Sequence, residues 1–250
     1  MTAQTIPTVA WPEPRVRVWP DIKTPASRPK GIPPLRAGDH LTRAEFERLY
    51  ESHPEIKKAE LIEGVVYMPS PTRFEEHSCP HGDIVAVLHV YRAATPGVQA
   101  GDNPTVRLDN ENDVQPDVVV RLKTGGRSCL NEDGYLVGSP ELIVEVAASS
   151  AAYDLHVKRR VYQRTGVQEY LALRVYEQRA DWWTLREGAY KPLLPDEKGI
   201  LRSEQFPGLW LNAPAFWASD LAAVLATLQE GLATPEHVAF VARLAAQSPE

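Results

Sequence analysis

Residues 116–122, PDVVVRL, and residues 141–147, ELIVEVA, decide how this chain folds. Both runs are nearly continuous in valine, isoleucine and leucine, the composition of strands covered on both faces. Strand alternation sets Val118, Val120, Leu142, Val144 and Val146 on one side. It sets Asp117, Val119 and Arg121, with Glu141, Ile143 and Glu145, on the other. Alternation alone allows a plain reading, in which Asp117 and Glu145 are solvent-side residues of half-buried strands. Cover on both faces leads to a second reading. An acid in such a strand is paired or holds a cation, because an unpaired buried charge is costly.

The next helix bears on that choice. A helical pattern runs from about Ala151 to Arg164 and stops at Gly166, a residue suited to a left-handed cap. At 100° per residue, Ala151, Asp154, Leu155, Lys158, Val161 and Tyr162 share one side. Lys158 therefore sits in the stripe that faces the sheet, where a lysine needs a carboxylate. A buried pair with Asp154 or Glu145 satisfies it, and so does snorkelling along the stripe. Two acids and a lysine converging at the end of a sheet also make a recognisable chemistry. The carboxylates suit Mg²⁺, a hard cation that prefers oxygen ligands. The ion polarises a phosphodiester and lowers the pKa of a bound water. The lysine positions that water or stabilises developing charge. Without a cation the two acids should repel, lifting the pKa of one, and neutralising Asp117 should then stabilise the protein.

Outward from these strands the pattern is mixed. Thr42 with Glu45 forms a capping box ahead of Phe46, Leu49 and Tyr50. ELIEGVVYM (60–68) reads as a hairpin bent at Gly64. A helix is expected from Pro80, with Ile84, Val87, Leu88 and Tyr91 on one side. A short strand is expected at 104–108. Gly125, Gly126 and Gly134 punctuate a loop, and further strands are expected at 169–177 and 181–187. A stretch rich in Pro and Gly then leads to helices at about 214–230 and 235–246. This order predicts an α/β (α+β) fold, a mixed sheet flanked by helices, without a regular βαβ repeat. Three regions follow: an extended arm at 1–36, which holds 8 of the 22 prolines, a main domain at 37–213, and a helical tail at 214–250.

The 250 residues are 43% hydrophobic, enough for a full core. No run approaches the roughly 18–20 apolar residues that span a bilayer, so no membrane association is expected. The N-terminal stretch lacks a basic and then apolar leader pattern. Two cysteines, Cys79 and Cys129, make no disulfide framework, and a cytoplasmic location is expected. The net charge of −6 argues against general nucleic-acid binding and leaves room for a local basic groove. Arg121, Lys123 and Arg127, or Lys158, Arg159, Arg160 and Arg164, could supply one; a solvated face is the plain alternative. His77, Cys79 and His81 crowd five positions, as zinc ligands can. Pro80 is expected to begin the helix and leave His77 outside it.

Several pieces recur in a known order. They are Glu60-Leu-Ile-Glu-Gly64, Met68-Pro-Ser-Pro71, His81-x-x-Ile84-x-x-x-Leu88 and Gln115-Pro-Asp117. Pro140-Glu-Leu-Ile-Val-Glu145-Val, Tyr153-Asp-Leu-His-Val-Lys158, Tyr162 and Gly166-Val-x-Glu-Tyr170 follow. Over roughly residues 40–190 this set resembles the Uma-type restriction endonucleases of the PD-(D/E)xK nuclease superfamily. The resemblance implies a restriction-endonuclease-like fold with a divalent-metal site, and a Mg²⁺-dependent (or Mn²⁺-dependent) endonuclease acting on DNA. It assigns Asp117 and Glu145 to the metal and lets His81 line the site, where a capping or core-edge histidine is the plain alternative. Glu60 or Glu63 of the first hairpin is a candidate further metal-site carboxylate, Glu60 first, against plain exposed hairpin charge. The superfamily pattern wants lysine two residues after the acid, where this chain has Ala147. The role then passes to Lys158. A homodimer is expected, since cutting both strands commonly takes a twofold pair. Ala147 and the negative charge favour an alternative, a catalytically silent binding or assembly module that keeps the fold. A zinc hydrolase built on His77, Cys79 and His81 is a third reading.

Overall fold

The computed structural model describes residues 33–69, 72–148 and 154–247. The expected arm at 1–36 and the start of the third helix therefore lie largely outside the described residues. Helix α1 (Arg43–Glu51) begins where its capping box predicts: the Thr42 hydroxyl accepts from the Glu45 N–H, and the Glu45 carboxylate accepts from the Thr42 N–H. The hairpin follows as β1 (Glu60–Ile62) and β2 (Val65–Tyr67), paired antiparallel. Glu63 (φ 51°) and Gly64 (φ 74°) make its turn. Two positive φ values in a row match the strand twist of a two-residue hairpin loop.

The central sheet has six strands in the order β12-β11-β10-β9-β6-β3. They are β3 (Val98–Asp102), β6 (Val118–Leu122), β9 (Leu142–Ala147), β10 (Glu169–Arg174), β11 (Arg179–Arg186) and β12 (Ala189–Pro192). Strand β9 runs antiparallel to β6 and parallel to β10. The crossover between the parallel pair carries a π-helical turn (Asp154–Lys158) and helix α3 (Arg159–Thr165), closed by Gly166 at φ 91°. A second six-stranded sheet joins β1 and β2 to β4 (Val106–Arg107), β5 (Asp113–Val114), β7 (Ser128–Leu130) and β8 (Leu136–Gly138). A pair, β13 (Ile200–Arg202) and β14 (Trp210–Asn212), stands apart.

Both faces of β6 and β9 are covered. Val118, Val120, Leu142, Val144 and Val146 join a core with helix α2 (Cys79–Ala94). Helices α4 (Ala213–Trp217), α5 (Leu221–Leu232) and α6 (Pro235–Gln247) close that same core through Phe216, Val224, Leu228, Phe240 and Leu244. Val119 and Ile143 join a second core with Val161, Tyr162 and Tyr170. The two-sided reading of these strands therefore holds, and Asp117 and Glu145 are buried at 5% and 3% exposure.

Four expectations need correction. The glycine-punctuated loop holds the β7–β8 hairpin, and the Pro/Gly-rich stretch holds β12, β13 and β14. Strands this short carry too few alternating residues to show a period. The helix expected at 214–230 is two helices. Ser219 takes φ 57° between them, and the Asp220 carboxylate caps the second by accepting from the Ala223 N–H. Helix α2 is also longer at its start, because a π-helical turn (Phe74–Ser78) leads into it. The missing N–H of Pro80 falls in the first α-turn, where no partner is required, so helical backbone continues on both sides of it.

Candidate active site

The antiparallel register pairs Val118 with Val144. Carried one residue further, it sets Asp117 across from Glu145, on the face turned toward α3. The backbone of β9 holds the aspartate in place: Asp117 Oδ2 accepts the Val146 N–H at 2.7 Å. Lys158 reaches the pair from the π-helical turn before α3. Its Nζ lies 2.9 Å from Glu145 Oε1 and 3.0 Å from Glu60 Oε1, and the lysine is 4% exposed. Tyr162, one turn further along, donates its hydroxyl to Glu145 Oε1 at 2.8 Å. Burial, and then the negative charge of Glu145, hold the Tyr162 phenol well above its ordinary pKa, so it stays a donor. Glu60 Oε1 also accepts the Gln115 N–H at 2.8 Å, which ties the first hairpin to the segment carrying Asp117.

Lys58 and His77 flank the outer side of Asp117. His77 Nε2 lies 3.4 Å and Lys58 Nζ 3.9 Å from Asp117 Oδ1. Burial pushes the Asp117 carboxyl upward. The contact with His77, the Val146 amide and the Lys58 charge outweigh that push and hold it below the ordinary aspartate value. The repulsion expected from the sequence does not govern this acid, because each carboxylate has its own donors.

His81 lies beside the pair without touching the Asp117 carboxylate. Its Nε2 is 2.9 Å from Asp102 Oδ1 and 3.3 Å from the Asp117 carbonyl oxygen. His77, expected outside the helix, instead lies 5.5 Å from His81 ring to ring and meets Asp117. Both His77 and Lys158 hang from π-helical turns, wider than α-turns and frequent at functional sites. Cys79 is exposed. Among the described residues no group of three His, Cys, Asp or Glu side chains stands ready to hold a metal, so the zinc cluster is not assembled.

Part of the basic clusters read from the sequence is engaged within the protein, while Lys123 and Arg127 are exposed. Arg121 is buried and bonds to Ser128 and Gln99. Arg164 and Arg160 lie 3.2 and 3.9 Å from Glu63, a surface partner in the hairpin turn. Lys58, His77, Asp102, Gln115 and Tyr162 were not foreseen as parts of the site. The spacings of Tyr162 from Lys158 and of Gln115 from Asp117 are usable signals; Lys58, His77 and Asp102 meet the site only through tertiary packing.

Comparison with known proteins agrees with this architecture. The crystal structure of a "putative nuclease belonging to DUF820" from Anabaena variabilis ATCC 29413 matches with a TM-score of 0.56 at 17% identity. The match covers 72% of this chain and 99% of that one, and at this identity it speaks for the fold alone. No curated protein matches the chain. No helix among the described residues is long and apolar enough to cross a membrane. Residues 43–214, which contain the whole of the site, match the family Uma2, described as "Putative restriction endonuclease"; the chain belongs to that family and has its restriction-endonuclease-like fold.

Proposed function

We propose that this chain is a metal-dependent endonuclease that hydrolyses DNA phosphodiester bonds at the Asp117–Glu145 pair. The observation that carries the reading is Lys158, buried and 2.9 Å from Glu145, with Asp117 across the strand from that same glutamate. The donor set fits Mg²⁺ or Mn²⁺. Mg²⁺ is usually held by one or two carboxylates with water completing its shell, so two oxygen-bearing side chains suffice and a third protein ligand is not needed. Asp117 and Glu145 would hold the ion, with Glu60 close behind through Lys158. Such an ion supplies charge against a phosphate oxygen and a bound water of lowered pKa.

The chain's own residues do the rest. The Val146 amide and the Tyr162 hydroxyl fix the orientation of the two acids, as outer hydrogen bonds do around metal ligands. Glu60 and Glu145 flank Lys158 Nζ in a buried place, so its charge has partners on two sides. From there it stabilises negative charge that develops on the phosphoryl oxygens. Burial of these groups limits water and strengthens each interaction. Two such sites in a twofold dimer would address both strands of a duplex.

One observation favours the silent-module reading: Lys158 already bridges Glu145 and Glu60, so these charges are satisfied without an ion. Supercoiled plasmid separates the two readings. With Mg²⁺ or Mn²⁺ the wild type should nick or linearise it, EDTA should stop the reaction, and Glu145→Ala and Lys158→Ala should be inactive. No cleavage by the wild type in either metal favours the module.

A further inference from the structure

We propose that Lys58 and His77 form a phosphate seat beside Asp117, and that Phe74 covers a base of the same strand. The inference rests on the nuclease reading and names how the substrate is held. The two oxygens of Asp117 face different surroundings. Oδ2 is spent on the Val146 amide, while Oδ1 faces His77 at 3.4 Å and Lys58 at 3.9 Å. Both distances exceed the roughly 2.7–2.9 Å of a close charged hydrogen bond, so these contacts are loose. The side chains of Lys58 and His77 are 29% and 20% exposed, against 5% for Lys158. They stand at the rim, and Lys158 lies at the bottom.

Around this rim two acids have cationic or imidazole partners of their own, and Lys58 Nζ also donates to Asn103 Oδ1 at 3.4 Å. Asp102 is engaged by His81 at 2.9 Å and Glu76 by Arg73 at 3.5 Å. Arg121, Arg160 and Arg164 have partners of their own elsewhere. Phe74 opens the π-helical turn that carries His77 and is 75% exposed. A phenylalanine is normally among the buried residues. Phe74 stands three residues before His77 in the same turn; proteins hold a single strand by stacking its bases on aromatic rings that accompany phosphate contacts. The substrate class this favours is a nucleic-acid strand with an unpaired base next to the cut.

Fluorescence anisotropy of a short labelled single strand and its duplex, with Ca²⁺ replacing Mg²⁺ and over a salt series, tests the seat. Lys58→Gln should reduce the slope of log K against log salt by about 0.7 on the single strand. His77→Gln should weaken binding in the same direction, and Lys58→Arg should bind like the wild type. Phe74→Ala should weaken single-strand binding about tenfold and duplex binding less. In cleavage assays these variants should raise KM more than they lower kcat. Melting temperatures close to that of the wild type establish that each variant is folded. An unchanged salt slope for Lys58→Gln, or equal single-strand affinity for Phe74→Ala, overturns the proposal. If the wild type still cuts plasmid in that case, the nuclease reading survives; a wild type that neither binds nor cuts DNA overturns both.

Discussion

Lys158 Nζ lies 2.9 Å from Glu145 Oε1, although the lysine hangs from a helical turn and the glutamate from the strand before it. The pair is buried and Glu60 closes it from the other side at 3.0 Å. Removing one member of such a cluster leaves uncompensated charge in the interior. Lys158→Ala should therefore cost about 3–5 kcal/mol, measured by urea unfolding. Adding Glu145→Gln to Lys158→Met should recover part of the loss, since charge is then removed from both sides. A loss below about 1 kcal/mol for Lys158→Ala, the range of surface pairs, would mean the cluster is solvated.

Asp117 makes a different prediction from the one its sequence context suggests. Its carboxylate accepts the Val146 amide and faces His77 and Lys58, which hold its pKa below the ordinary value. A depressed carboxyl contributes stability above its unfolded pKa, and that contribution is lost as pH falls through the folded one. Asp117→Asn should destabilise the metal-free protein at neutral pH by about 1–3 kcal/mol. The gap between variant and wild type should narrow as the pH drops below about 4. Chemical unfolding between neutral and acid pH checks this, and a more stable Asn variant at neutral pH would contradict it.

Asp113 carries the opposite sign. Burial raises its pKa from 3.8 to about 7, against the pull of Arg107 and with the help of Glu47. The folded protein then binds more protons than the unfolded chain between those values, so this residue lowers stability as pH rises through that window. Asp113→Asn should gain stability relative to the wild type as pH goes from about 4 to 7, by up to about 1.4 kcal/mol per pH unit, and no further above it. Thermal or urea unfolding across that range reads it; a pH-independent difference would contradict the assignment.

Arg121 separates structural from nucleic-acid-facing cations. It is buried and donates to Ser128 and Gln99. Arg121→Ala should lower the melting temperature by several degrees, with the salt slope of DNA binding unchanged. A reduced slope at unchanged stability would place this guanidinium on the DNA.

The parts of the fold legible in the sequence are those with a long local signature. Thr42 and Glu45 are three apart and cap α1, and β6 and β9 are continuous apolar runs whose acids face the second core. Lys158 was legible because its helical stripe also holds Val161 and Tyr162, both fully buried. The short strands β7, β8 and β12 to β14 were not, because three or four residues give no period. Asp220 is a usable signal, an N-cap three residues before Ala223 that follows Ser219, between the apolar runs of the two helices. Pro80 looks like a helix start, a pattern that places His77 outside the helix. In fact both the His77 and Ser78 N–H groups close onto the Arg73 carbonyl, so the turn forms ahead of the proline. Lys58 comes to Asp117 through tertiary packing alone.

Titration of Mg²⁺ into the metal-free protein by calorimetry addresses the cross-strand acids directly. The wild type should bind in the millimolar range or tighter, and both Asp117→Asn and Glu145→Gln should lose that binding while staying folded. Equal affinity in the wild type and both variants would show that these two carboxylates do not form a cation site.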